Sequence, residues 1–219
     1  MESDSLDNMI ARARTIPQGE ALNFLSHGLG FLAALAATPI LIYSAARGGG
    51  AADVVASSIF GASLILLYLA SSWYHALHPG PGKDRLQKVD HAAIYVLIAG
   101  SYTPFTLGVL EGAWGWALFS IVWAAALLGV AAKFTIGMRF PRLSTTMYLV
   151  MGWLAIIAIR PLYLRSPLEG LIWLAAGGLF YSAGVIFYVR DTRHSHFIWH
   201  LFVLAGSTCH FFAVLWYAR

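Results

Sequence analysis

Apolar residues run through this chain in seven blocks, each close to the roughly 20 residues that a helix needs to cross a bilayer. The blocks cover about residues 21–46, 52–77, 91–110, 114–133, 144–161, 168–189 and 197–217, with polar segments of a few residues between most of them. The third and fourth are separated by little more than Glu111 and Gly112, which predicts a tight turn between antiparallel helices. The pattern predicts an all-α, polytopic membrane protein: a polar segment over residues 1–20, then one seven-helix transmembrane domain over residues 21–219.

Composition strengthens this reading. Of the 219 residues, 59% are hydrophobic and 11% charged, against about 25% charged in a soluble domain. So much apolar surface calls for lipid as solvent. Eight Trp and ten Tyr suit the headgroup boundary. The formal charge of +4 is modest and reads as membrane orientation, not as binding to nucleic acid. The opening MESDSLDNMIARARTIPQGE lacks the basic-then-apolar order of a cleaved signal, so the first block is expected to remain as a span. Cys209 is the only cysteine, which rules out an intramolecular disulfide or a CxxC site; a metal would have to be held by His and carboxylates.

Lys and Arg in short loops set orientation. With the N-terminus in the cytoplasm, the inner segments hold Arg12, Arg14, Lys83, Arg85, Lys88, Lys133, Arg139, Arg142, Arg190 and Arg193, and the outer ones Arg47, Arg160, Arg165 and Arg219. The bias predicts a multi-pass protein of the cell's inner (plasma) membrane, N-terminus cytoplasmic and C-terminus outside.

Ionisable side chains within a membrane are costly, so each is a functional candidate. His196 and His200 in HFIWH stand four apart, one turn along one helix face. His75 ends the second block, in SSWYH. The topology brings all three to the cytoplasmic side, within about 6 Å of one another in depth at 1.5 Å rise per residue. Three imidazoles with an open fourth position suit a catalytic zinc. They disfavour magnesium and calcium, while iron, nickel and copper stay open. Ser71 lies one turn from His75 on the same face, and Asp90 opens the third block at the same level. Ser71 is equally read as a small packing residue, and Asp90 as a charge favourable to a helix N-terminus or as an orienter of a ring or a water. His78, His91 and His194 read as solvated loop-end residues. His27 lies about 9 Å into the first span and His210 about 15 Å beyond His200, the latter as a hydrogen bonder inside the bundle. Pro104 predicts a kink, with Ser101 helping to satisfy the freed backbone.

Ser71-x-x-x-His75, then Asp90 in VDHAAIYVLIAGSYTPF, then His196-x-x-x-His200 in HFIWHLFVLAGSTCHFFAVL, resemble the hemolysin III family. These are the bacterial members of the progestin and adipoQ receptor family, which includes the adiponectin receptors. The resemblance runs from about Glu20 to the C-terminus. It implies seven helices, an inner N-terminus and a zinc held by His75, His196 and His200, with Ser71 and Asp90 at the other polar positions of the pattern. A wider group with this pattern includes alkaline ceramidases, zinc-dependent amide hydrolases of membranes. The chain's departure is local, a short second loop over HPGPGKDRLQKVD.

Three functions follow. The first is a zinc-dependent hydrolase of a lipid amide or ester, with membrane lipids as partners and substrate, Asp90 as general base and Ser71 at the oxyanion. The second is a membrane-homeostasis or receptor-like protein whose zinc is a structural clip completed by Asp90. The third is a cytolytic pore, as the family label implies. It ranks last, because charges are nearly absent from the span interiors.

Overall fold

The computed structural model describes residues 16–17, 19–190, 192 and 194–218. Most of the polar 1–20 segment, and with it Arg12 and Arg14, lies outside the described residues, as do Arg193 and Arg219. Among the described residues the chain is helical throughout: α1 (Ala21–Gly48), α2 (Ala51–Ala76), α3 (Pro81–Pro104), α4 (Gly112–Thr135), α5 (Pro141–Gly152), α6 (Ile159–Arg165), α7 (Leu168–Tyr188) and α8 (Ser195–Tyr217). A π-helical turn, Phe105–Val109, prolongs α3, and a 3-10 turn, Leu154–Ala158, joins α5 to α6. Seven of the resulting rods are long and apolar enough to cross a membrane, α5 and α6 together forming the fifth.

Neighbours in sequence pack as neighbours in space. α1 lies on α2, α2 on α3, α3 on α4 and α7 on α8, and α8 returns to α1. The third rod is 67% buried and the sixth 17%, so α3 forms the centre and α7 the rim. Apolar side chains such as Leu32, Leu127, Leu128 and Leu164 point outward, where lipid is their natural solvent. α7 buries only three residues, Gly170, Gly177 and Gly184. Spaced by seven, they form one stripe, against which Tyr217, the His210 ring and Trp199 of α8 lie. Close approach over small residues is how membrane helices gain packing energy without a hydrophobic driving force.

The structure corrects four local expectations. The third rod does not start at His91: helix begins ten residues earlier, at Pro81. Proline is favoured in the first turn, where its missing N–H is no loss, and the polar KDRLQK stretch continues as a helix outside the apolar block. The segment read as a loop is therefore largely helical. Asp90 sits well inside α3, so the reading as a helix-terminal charge fails. Lys133 is not a free loop charge. It is 2% exposed and donates to Ser144 Oγ at 2.7 Å.

Pro104 ends the α-helical part of α3 and the chain passes into the π turn. Ser101 does not serve the freed Gly100 carbonyl; its hydroxyl donates to Ile98 O at 2.8 Å. The fifth rod also breaks, after Gly152, and Tyr102 supports that break. Its hydroxyl donates to the carbonyls of Met151 (2.9 Å) and Gly152 (2.8 Å) and accepts from the Ala155 N–H (2.9 Å). Irregular backbone at membrane depth needs such internal partners. The Glu111-Gly112 turn appears where the sequence places it. Gly112 takes φ 64° and Glu111 φ 34°, a region that side-chain-bearing residues rarely enter.

Candidate metal centre

α2 delivers His75 from its last turn, and α8 delivers His196 and His200 from its first two. The structure brings these three together. One ring nitrogen of each lies within 4.8 Å of the others, and no carboxylate joins the group among the described residues. The rings stand 4.7 to 5.0 Å apart and tilted at 57° to 69°, so they face a common point instead of stacking. His75 Nε2 and His196 Nε2 are buried and have no hydrogen-bond partner. Buried polar nitrogens are normally satisfied, and unpaired imidazole nitrogens that converge from two helices fit a metal ion.

The other ring nitrogens are engaged. His75 Nδ1 bonds Glu20 Oε2 at 2.7 Å, and Glu20 also accepts from Lys83 Nζ (2.7 Å) and Asn23 Nδ2 (2.8 Å). His200 Nδ1 lies 3.0 Å from Ser26 Oγ and 3.2 Å from the Asn23 carbonyl. Burial opposes ionisation of Glu20, but the hydrogen bonds from His75, Lys83 and Asn23 outweigh it and hold the carboxyl well below the usual carboxylate range. Glu20 ends the turn before α1 without capping that helix with its side chain, which frees it to reach His75.

Ser71 and Asp90 are both buried. The Ser71 hydroxyl meets the Asp90 carboxyl, and both line the same cavity as His196 and His200. This cavity, about 230 Å³, is bounded at one end by those polar groups and at the other by Leu110, Leu118 and Leu162. Its lining follows the third rod from Asp90 to Leu110, and the wall between is mostly apolar. Tyr102 and Trp153, at the break in the fifth rod, form part of that wall.

Several expectations about the remaining histidines change. His91 is not solvated; it is 7% exposed, with Nδ1 bonded to the Gln87 carbonyl (2.9 Å) and Nε2 to Tyr188 Oη (3.2 Å). His27, read only as a histidine inside the first span, stacks on His200 with centroids 3.5 Å apart and planes 9° from parallel. His210 does act inside the bundle, donating from Nε2 to the Leu174 carbonyl at 3.3 Å. His194 is exposed and His78 half-buried.

The sequence reading missed Glu20, Asn23 and Ser26, and placed His27 in the first span without a role. The signal was present: these residues and Gly30 recur at three- and four-residue spacing and therefore form one polar or small stripe along an otherwise apolar α1. Such a stripe marks a helix face turned toward other polar groups.

The chain is similar to known proteins over most of its length. A family profile described as "Haemolysin-III related" matches residues 16–211. The chain is 49% identical over 199 residues to "Hemolysin-3 homolog" of Bacillus subtilis (strain 168), covering 90% of this chain and 93% of that protein. It is 44% identical over 199 residues to "Hemolysin-3" of Bacillus cereus, covering 90% and 91%. A more distant relative is the human "Monocyte to macrophage differentiation factor", 29% identical over 175 residues, 74% of this chain and 70% of that one. No solved structure matches the chain.

Proposed function

The chain belongs to the haemolysin-III-related family and is a multi-pass membrane protein, and on that premise we propose that it hydrolyses a lipid amide or ester within the bilayer, using zinc held by His75, His196 and His200. The observation that carries this reading is the meeting of two unlike environments. His196, with its unpaired Nε2, His200, Ser71 and Asp90 line one end of a cavity whose remaining wall is mostly apolar. An acyl chain fits the apolar length, and a carbonyl at its head then lies among the polar groups.

Zinc is the ion favoured by an all-imidazole set, and it would supply Lewis acidity toward a carbonyl and bring the ionisation of water into the neutral range. The chain's own residues do the rest. Asp90 accepts a proton from the attacking water and returns it to the leaving nitrogen or oxygen. The Ser71 hydroxyl, which meets Asp90 in the resting site, donates to the oxygen on which charge develops. The absence of a carboxylate from the histidine group, among the described residues, favours an open fourth position.

Asp90→Asn tests the assignment. The variant is expected to keep its metal and its fold while fatty-acid release from a panel of ceramide-like and acyl-amide lipids falls at least ~100-fold, the usual scale of general-base loss. Wild-type protein, metal-loaded and folded, that releases nothing from the panel would sink the hydrolase.

One observation favours a second reading, a structural clip. α2 and α8 approach each other little outside the histidines, so a metal there would add a direct tie between two helices that otherwise meet through α1. Under this reading, metal removal unfolds the protein, and Asp90→Asn has no effect beyond stability. We further propose that the N-terminus is cytoplasmic and the C-terminus outside, in the plasma membrane. Support comes from Lys83, Arg85, Lys88, Arg139, Arg142 and Arg190 at one end of the bundle and Arg47, Arg160 and Arg165 at the other. A C-terminal reporter active only in the cytoplasm would reverse that orientation.

A further inference from the structure

We propose that residues 20–26, at the entry to α1, are the template that orients two of the three metal ligands, with Glu20 as positioning residue for His75 and Ser26 with the Asn23 carbonyl as positioning groups for His200. The proposal rests on the reading of the three histidines as metal ligands and adds groups that themselves touch neither metal nor substrate.

A carboxylate and a backbone carbonyl can only accept, so the hydrogens lie on His75 Nδ1 and His200 Nδ1. Each ring is thereby fixed as the tautomer whose lone pair is on Nε2. For His75, that is the nitrogen left buried and unpaired. Without its bond to Glu20, the His75 ring can turn over and lose this direction. The bond also raises the ring's basicity toward a metal. For His200, Ser26 Oγ donates its own hydrogen to the Asn23 carbonyl at 2.9 Å, which leaves its oxygen free to share the His200 N–H with that carbonyl.

Glu20 is itself held from two sides. Asn23, one turn along α1, fixes the oxygen that serves His75, and Lys83 fixes the other. Lys83 reaches it only because helix α3 starts at Pro81. The end of α2 and the start of α3, both remote in sequence from residues 20–23, therefore meet on one carboxylate, and α1 contributes no residue to the histidine group.

The test is zinc affinity of the purified full-length protein in detergent, measured by competition with a chromophoric chelator, together with the visible absorption of the cobalt(II)-substituted protein. Glu20→Ala is expected to weaken zinc binding 10- to 100-fold, the scale for partners of ligating histidines, and to change the cobalt spectrum. Glu20→Gln, which keeps an acceptor oxygen but not the charge, should fall between Glu20→Ala and wild type. Asn23→Ala should have a smaller effect than Glu20→Ala, because the carbonyl that serves His200 is retained. Zinc affinities of both Glu20 variants within twofold of wild type, with unchanged cobalt spectra, overturn the orienting role. Wild-type protein that takes up no zinc refutes the metal site itself. Wild-type protein that binds zinc tightly but hydrolyses no lipid refutes only the hydrolase.

Discussion

Removing a single oxygen from the middle of the bundle should reveal how the broken fifth rod is held. In Tyr102→Phe the ring remains, and the hydroxyl that serves Met151 O, Gly152 O and Ala155 N–H is gone. The two carbonyls share one hydrogen, and carbonyls have spare acceptor capacity, so their loss is modest, near the ~0.6 kcal/mol average of interhelical bonds in membranes. The Ala155 N–H is the larger loss. It sits at the start of the 3-10 turn and has Tyr102 as its acceptor, and leaving a half-buried donor unpaired away from water costs about 1–3 kcal/mol. The sum is about 1.6–3.6 kcal/mol, set mainly by that one amide. Equilibrium unfolding in mixed micelles, with rising denaturing detergent, measures it directly. A loss near 0.6 kcal/mol or below would mean that the break finds other partners, and the account of Tyr102 as its support would be wrong. Because Tyr102 also lines the cavity, the same variant should accept lipid less selectively if the break shapes the wall.

Two further outcomes follow from particular contacts. A Cβ at Gly177 would run into the His210 ring and lie 3.1 Å from the Gly206 carbonyl oxygen, so Gly177→Leu is expected to separate α7 from α8 and cost at least the ~1–3 kcal/mol of an overpacked core, read in the same unfolding assay. His200→Ala should bring the metal content of purified protein, measured by elemental analysis, down to background, whereas His210→Ala should leave it at the wild-type level. Equal loss in both would show that the histidines act on folding and not as a set of ligands.

How much of this was legible in the sequence depended on the range of the interactions. The seven rods follow from runs of apolar residues, a local property that lipid enforces on every segment separately. The ends of those runs were less legible. Helix α3 continues into KDRLQK because intrahelical hydrogen bonding does not stop where the bilayer does, and a hydropathy boundary near His91 is not a helix boundary. The His196–His200 pair is likewise local, one turn on one face. Its meeting with His75 came from charge bias and span counting, which place side chains in depth but not around the bundle.

Tertiary structure alone decided the rest. Whether His91 faced water or Tyr188, and whether His27 lay apart from His200 or against it, depend on which neighbour each helix face meets; the polar stripe of α1 marks its inward face but not the side chain opposite it. The heptad glycines of α7 have meaning only beside the α8 side chains that occupy the space they leave. Glu20 lies 55 residues from His75 and 63 from Lys83, and no periodicity within one segment couples positions so far apart. The sequence by itself determined the seven apolar rods and the residue type of the candidate cluster, because both follow from residue chemistry taken one segment at a time. Packing determined which nitrogen of His75 is free, which carboxylate holds that ring and where the apolar cavity meets the polar cluster, because those depend on several helices closing on one point.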